Sequence, residues 1–297
     1  MKINQLLKIK YPLIQGSMAR ISTHKLVSAV SNAGGLGVLT SVGMDKDGLS
    51  DQIDQVRRET DNPFGVNLML QQDNIYQLVE VLLEKKVPVV MTGAGTPAPY
   101  FDDLHQAGIK VIPVIPNVKL AQKMQDLGVD AVVAEGMESG GHIGQLTTMT
   151  LVPQVVDSVD LPVIAAGGIF DRRSVAASFI LGASGVQVGT AFLGARETPI
   201  AKNYQQLVLK AGDTDTIVTG NSLRDKVRSL KTPLTEKVAQ MEQTSSDDSE
   251  AQKLLVGSLG RAVYDGNVET GSFMSGTIAG EINQVRPAKE IIESMFQ

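Results

Sequence analysis

The chain has 297 residues, 42% hydrophobic and 20% charged, with 27 Lys and Arg against 32 Asp and Glu for a formal net charge of −5. It contains no cysteine, which removes disulfide scaffolds, thiolate metal ligation and a cysteine nucleophile. Mild acidity without a basic stripe argues against nucleic acid as partner. The absence of an apolar N-terminal segment or a run of about 20 apolar residues argues against a signal peptide or membrane span, so a cytoplasmic protein acting on a small molecule is expected.

In chain order, short apolar runs recur at Pro12–Gln15, Leu36–Leu39, Phe64–Leu68, Val87–Met91, Ile109–Val114, Asp130–Ala134, Leu161–Ala165 and Gly185–Val188. Their hydrophobicity is nearly continuous rather than alternating, the pattern of strands covered on both faces. Between them apolar residues fall at helical spacing, as in Leu26, Val27 and Val30, or Leu120, Met124 and Leu127. Several of these helices close on a glycine, namely Gly34, Gly108, Gly128 and Gly182, as a left-handed C-cap requires. Eight such units at a spacing of about 25 residues predict an α/β fold, a TIM (β/α)8 barrel, with a doubly wound open sheet as the alternative.

The rhythm stops after residue 195. We read residues 1–297 as one domain in which a polar insertion at about 195–255 and C-terminal helices over 256–297 follow the barrel, the helices packing back on it. The segment Thr235–Gln252, with the acidic pair Asp247-Asp248, reads as solvated helix or loop. The small-residue stretch Gly271–Gly280 reads as backbone packed closely against a neighbour.

In such barrels function sits on the loops after the strands, and phosphates bind after the seventh and eighth. Here the seventh strand runs into Ala165-Ala166-Gly167-Gly168-Ile169 and the eighth into Gly189-Thr190-Ala191. Backbone N–H groups without side-chain obstruction can converge there on an anion at a helix N-terminus. Arg172 and Arg173 stand nearby and read as surface charges opening a helix. Other strand ends are small and polar: Gln15-Gly16-Ser17-Met18, Asn67 and Thr92-Gly93-Ala94-Gly95. The sixth strand ends in Glu135–Gly144, the densest concentration of ionisable and glycine residues in the chain. Glu135 follows a wholly apolar strand, which puts its carboxylate at the barrel mouth. His142, in the same glycine-rich loop, is the acid–base candidate. His24 and His105 fall on helix surfaces, Asp102-Asp103 is solvated charge, and no metal-ligand spacing is present.

These segments carry a resemblance that covers essentially the whole chain. Pro12–Met18, Ala33–Gly37, Pro63–Asn67, Thr92–Gly95 and Ala165–Ile169 are similar to the FMN-dependent enoyl-acyl carrier protein reductase II family and to the nitronate monooxygenases once called 2-nitropropane dioxygenases. The run Ala134–Thr150 resembles the reductase branch. The resemblance implies a TIM barrel with FMN at its mouth, carrying hydride from NADH or NADPH to an enoyl thioester on acyl carrier protein in type II fatty acid synthesis. It implies an FMN phosphate on Gly167, Gly168, Gly189 and Thr190, and an isoalloxazine ring near Ser17, Met18, Asn67, Glu135, Gly140, Gly141 and Gln187, with Met274 and Gly276 closing over it. His142 matches the family's active-site histidine, where it positions the thioester carbonyl or supports proton delivery. A homodimer and a stimulating monovalent cation are further implications. Ser17 departs from the glycine frequent in reductases. Two other readings stand: a nitronate monooxygenase using His142 as base, and a barrel that holds FMN without turnover. The continuation Leu146–Thr150 favours the reductase.

Overall fold

The computed structural model describes residues 2–221, 225–244 and 249–297. Every predicted strand forms, within two residues: β1 (Leu13–Gln15), β2 (Gly37–Thr40), β3 (Phe64–Met69), β4 (Val89–Gly93), β5 (Lys110–Ile115), β6 (Val132–Glu135), β8 (Val163–Ala166) and β9 (Gly185–Val188). The remaining strands are β7 (Gly141–His142), β10 (Thr216–Thr219) and β11 (Val227–Leu230). The first eight of these strands pair in parallel, in the order β1-β9-β8-β6-β5-β4-β3-β2. The ends of that order meet, because Leu36 N–H donates to Leu13 and Gln15 N–H donates to Leu36 at 2.9 and 2.8 Å. The sheet is therefore a closed (β/α)8 barrel, not an open one.

Two apolar layers build it. Ile14, Leu36, Val38, Met91, Ile112, Val133 and Ile164 fill the interior, and the short helix Ile3–Leu7 plugs the bottom, where Ile3 packs on Gly185. The outer layer buries the opposite strand faces against the helices, including Leu26, Val27 and Val30 of the helix His24–Asn32. Strands with apolar side chains on both faces need this double coverage. The glycines that close four helices take φ between +75° and +96°. Leu120 differs from expectation: it is exposed in the first turn of its helix, while Met124 is buried.

The segment after β9 does not simply project as a polar insertion. β10 and β11 form an antiparallel hairpin, and β11 pairs in turn with β7, setting Val227 opposite His142 and Arg228 opposite Gly141. The bridge Ser229–Met274 extends this small sheet into the C-terminal segment. Its core is Tyr204, Val208, Leu230, Val263 and Phe273, joined to the barrel through Ile21 and Leu193. The Tyr204 ring meets Phe273 edge-on at 4.8 Å and its hydroxyl donates to Met274 O at 2.6 Å. Burial pushes that phenol's pKa upward. The polar stretch forms the helices Pro233–Thr244 and Ser249–Leu255, while Asp247-Asp248 lies outside the described residues. The close packing expected of Gly271–Gly280 is present: a Cβ on Gly271, Gly276 or Gly280 would meet backbone of Ala262, Glu138 or Gly212 at 3.0 Å or less. Among the described residues no helix is long and apolar enough to cross a membrane.

Candidate active site

A cavity of about 920 Å³ opens at the C-terminal ends of the strands. Ser17, Met18, Asn67, Glu135, Gly140, Gly141, His142, Gly167, Gly168, Gln187, Gly189, Thr190 and Met274 all line it. Gly276 does not. It packs behind the wall, where its N–H donates to Thr190 Oγ1 at 2.9 Å and a Cβ on Gly140 would sit 2.7 Å from its nitrogen.

At one end of the cavity, β8 and β9 release the chain into bare backbone. Gly167 and Gly168 have φ of +98° and +70°, and a Cβ on Gly189 would meet nothing within 4 Å. Among the described residues, the N–H groups of these three glycines find no protein acceptor. Together they form a cradle of donors suited to an oxyanion. The N-terminus of the helix after β8 does not contribute there, while Gly189 itself opens the short helical turn Thr190–Gly194 without a side-chain cap. Asp171 caps the helix Arg172–Ile180, accepting from Arg173 and Ser174 N–H at 3.0 and 3.1 Å, and pairs with the Arg173 guanidinium at 2.6 Å. That carboxylate satisfies the amides an anion would otherwise use.

The cavity floor carries the side chains at the strand ends. Gln15 is committed to structure: it is fully buried, accepts from Val38 N–H at 3.1 Å and donates to Ser22 Oγ at 2.9 Å. Ser17 Oγ donates to Leu39 O at 3.3 Å. Asn67 and Gln187 show no side-chain hydrogen bond among the described residues, so each can engage a ligand. Burial pushes the Glu135 carboxyl up to about 7, opposed only by the neighbouring Ser139 hydroxyl. Ser139 Oγ otherwise lacks a partner.

The loop from Glu135 to Gly144 is held by residues the sequence did not single out. The Glu138 carboxylate accepts from Thr148 N–H at 2.9 Å and from Thr148 Oγ1 at 2.9 Å. Thr148 Oγ1 also lies 2.9 Å from Gly167 O, tying this loop to the anion cradle. The placement gives Leu146–Thr150 a physical role. Arg228, half-buried and facing Glu138, donates to Met137 O and Thr216 Oγ1 at 3.1 Å each. His142 stands at the mouth with 60% of its side chain exposed, its Nε2 3.3 Å from Asp225 Oδ1. Asp225, also in the cavity wall, has no local sequence signal, because it approaches through the β10–β11 hairpin. His24 pairs with Glu59 at 2.8 Å, remote from this cavity. No group of metal-binding side chains occurs among the described residues.

The sequence matches the nitronate monooxygenase family profile over residues 1–77 and 72–297. It is 32% identical to a probable nitronate monooxygenase of Staphylococcus aureus, over 99% of this chain and 96% of that protein. It is 33% identical to an octahydroindene carboxyl-CoA dehydrogenase of Mycobacterium tuberculosis, over 99% and 94% of the two chains. The structure superposes on FabK from Thermotoga maritima with a TM-score of 0.96 and 47% identity, covering 99% of this chain and 94% of that one.

Proposed function

The chain belongs to the nitronate monooxygenase family of oxidoreductases, and we propose that within it this protein is an FMN-dependent enoyl-acyl carrier protein reductase using NADH or NADPH. The observation that carries the reading is the run Ala134–Thr150 as built. It puts an exposed histidine at the mouth of the cavity and ties the loop behind it, through Glu138 and Thr148, to an anion cradle at the other end. The 47% identity to FabK, against 32% to the Staphylococcus aureus protein, supports the reductase over a monooxygenase. The Mycobacterium tuberculosis relative, named as an octahydroindene carboxyl-CoA dehydrogenase, supports a thioester substrate.

The residues fit FMN. The unpartnered N–H groups of Gly167, Gly168 and Gly189 suit its phosphate, and the free amides of Asn67 and Gln187 suit the polar edge of its ring. The volume lies near the top of the range for ligand sites, leaving room beside the flavin for a second molecule. FMN bound here would supply hydride carriage between a nicotinamide and a conjugated carbon–carbon double bond. The protein's part is to orient and to manage protons. His142 is placed to donate to a thioester carbonyl, withdrawing charge as the β-carbon is reduced, and to support protonation at the α-carbon. Glu135, its carboxyl pushed up to about 7 by burial, can hold a proton near neutral pH and present a donor from the floor. Met274, carried by the strand-like segment beside β11, lines the same cavity. Acyl carrier protein as substrate carrier, a homodimeric assembly and a stimulating monovalent cation complete the proposal.

An anaerobic titration tests it. NADH or NADPH bleaches the flavin band near about 450 nm, and a crotonyl thioester then restores it, if the reading holds. A flavin untouched by nicotinamide but reduced by an alkyl nitronate supports the second reading, nitronate monooxygenase, with His142 as the base.

A further inference from the structure

The loop after β1 carries Arg20 between Ala19 and Ile21, both of which line the cavity. Arg20 has φ +64°, one of four non-glycine residues with left-handed backbone among those described. A long side chain holds that conformation at a cost, and such outliers gather where a side chain must be aimed. The guanidinium lies against Gly43, where a Cβ would come within 3.1 Å of Nη1 and 3.2 Å of Cζ. Its Cζ is also 6.0 Å from the ring centre of Tyr264, which is 61% exposed. Val42 and Leu259, near these two contacts in the chain, line the cavity as well. Among the described residues the guanidinium makes no ion pair and donates no hydrogen bond.

A half-buried cation without an acceptor, held against glycine backbone and beside an exposed ring, leaves its guanidinium N–H groups available to an anion. We propose that Arg20, set beside the cavity between lining residues Ala19 and Ile21, is a phosphate-recognition residue, taking a phosphate of an adenine-nucleotide-bearing substrate whose base can stack on Tyr264. The planar fork of guanidinium N–H groups matches two phosphate oxygens at once, and an aromatic face accepts a flat base. Nicotinamide dinucleotides and coenzyme A thioesters share this chemistry. The inference rests on the reductase reading for the traffic of such molecules through the mouth, but the binding itself can be measured without turnover.

The test is calorimetric titration of the FMN-loaded enzyme with NADP⁺ and with coenzyme A, for the wild type, Arg20→Asn and Arg20→Lys. Asparagine tolerates left-handed backbone, so the first variant removes the guanidinium without adding strain. Arg20→Asn is expected to weaken one of the two ligands by about tenfold or more, with Arg20→Lys between it and the wild type. The melting temperature stays unchanged. A loss confined to NADP⁺ assigns the phosphate to the hydride donor, and one confined to coenzyme A assigns it to a coenzyme A thioester taken in place of the carrier-protein thioester. Affinities within about twofold of wild type for both ligands, or a wild type that binds neither, overturn the proposal. An Arg20-dependent affinity in an enzyme that reduces no thioester leaves the phosphate site standing and removes the reductase reading instead.

Discussion

The barrel and the structure that roofs its mouth are held together by different means. In the barrel, each strand buries both faces among apolar side chains, so its order follows from local pattern and close packing. The roof has its own apolar cluster, which reaches the barrel through Ile21 and Leu193, but its hold on the loop from Glu135 to Gly144 depends on backbone approach and polar contacts. The two-residue β7 pairs with β11 some 85 residues away, Gly140 lies on Gly276, and Glu138 O accepts from Thr277 N–H at 3.0 Å. The barrel can therefore be stable with a damaged roof, whereas the histidine loop depends on both.

The largest expected effect comes from matched glycine substitutions, one in each region. In Gly37→Ala the new Cβ would collide with the Val27 carbonyl and sit 2.7 Å from Val27 Cα, inside a helix fixed by the core. A loss above about 3 kcal/mol is expected, read as insolubility or a collapsed melting temperature. In Gly140→Ala the collision is with Ser275 and Gly276, an irregular segment. Circular dichroism is expected to remain native while turnover falls at least about tenfold, because the loop bearing His142 is pushed from the cavity. If Gly140→Ala melts as early as Gly37→Ala, the two regions are one cooperative unit and the contrast fails.

His142→Ala comes next. The side chain is exposed and supports no packing, so the fold and bound flavin should be untouched while crotonyl-thioester reduction slows by about tenfold or more. Wild-type turnover would remove His142 from the mechanism.

Glu135 joins the two regions, since it ends a barrel strand and faces the cavity. Its carboxyl holds a proton up to about 7 in the folded protein, from an ordinary value of 4.5. Between those values the native state binds more protons than the unfolded chain, so stability falls as pH rises through the window. Full effect is about 3 kcal/mol, reduced by water in the cavity. Melting at about pH 5.5 and about pH 8 should therefore differ more in the wild type than in Glu135→Gln. Equal pH dependence in both would show that Glu135 is ionised throughout.

The same contrast governs what could be read from the amino acids. The strand runs were legible because continuous apolar sequence with glycine-closed helices has few other solutions, and the loop residues followed from where such strands end. The hairpin was not. Thr216-Ile217-Val218-Thr219 before Gly220-Asn221 is a β-branched run meeting turn residues, but nothing local shows that β11 will seek Gly141-His142. Arg228 and Asp225 were invisible for that reason. Asp171 was legible in principle, as an N-cap three residues before Ser174, and it displaces the anion reading from the helix to the glycine turn.

Asp225 offers the smallest and sharpest test. Its carboxylate is 67% exposed and meets a histidine that is 60% exposed at 3.3 Å. Exposed pairs of this kind contribute little to stability, because water screens both partners and each gives up side-chain freedom to meet the other. Asp225→Asn should therefore leave the melting temperature unchanged within error and alter turnover by less than about threefold. The amide keeps the shape and a hydrogen-bonding oxygen, so only the charge is removed. If turnover instead falls as far as in His142→Ala, the carboxylate orients the imidazole, and the hairpin that carries Asp225 is part of the catalytic apparatus rather than only a support for it.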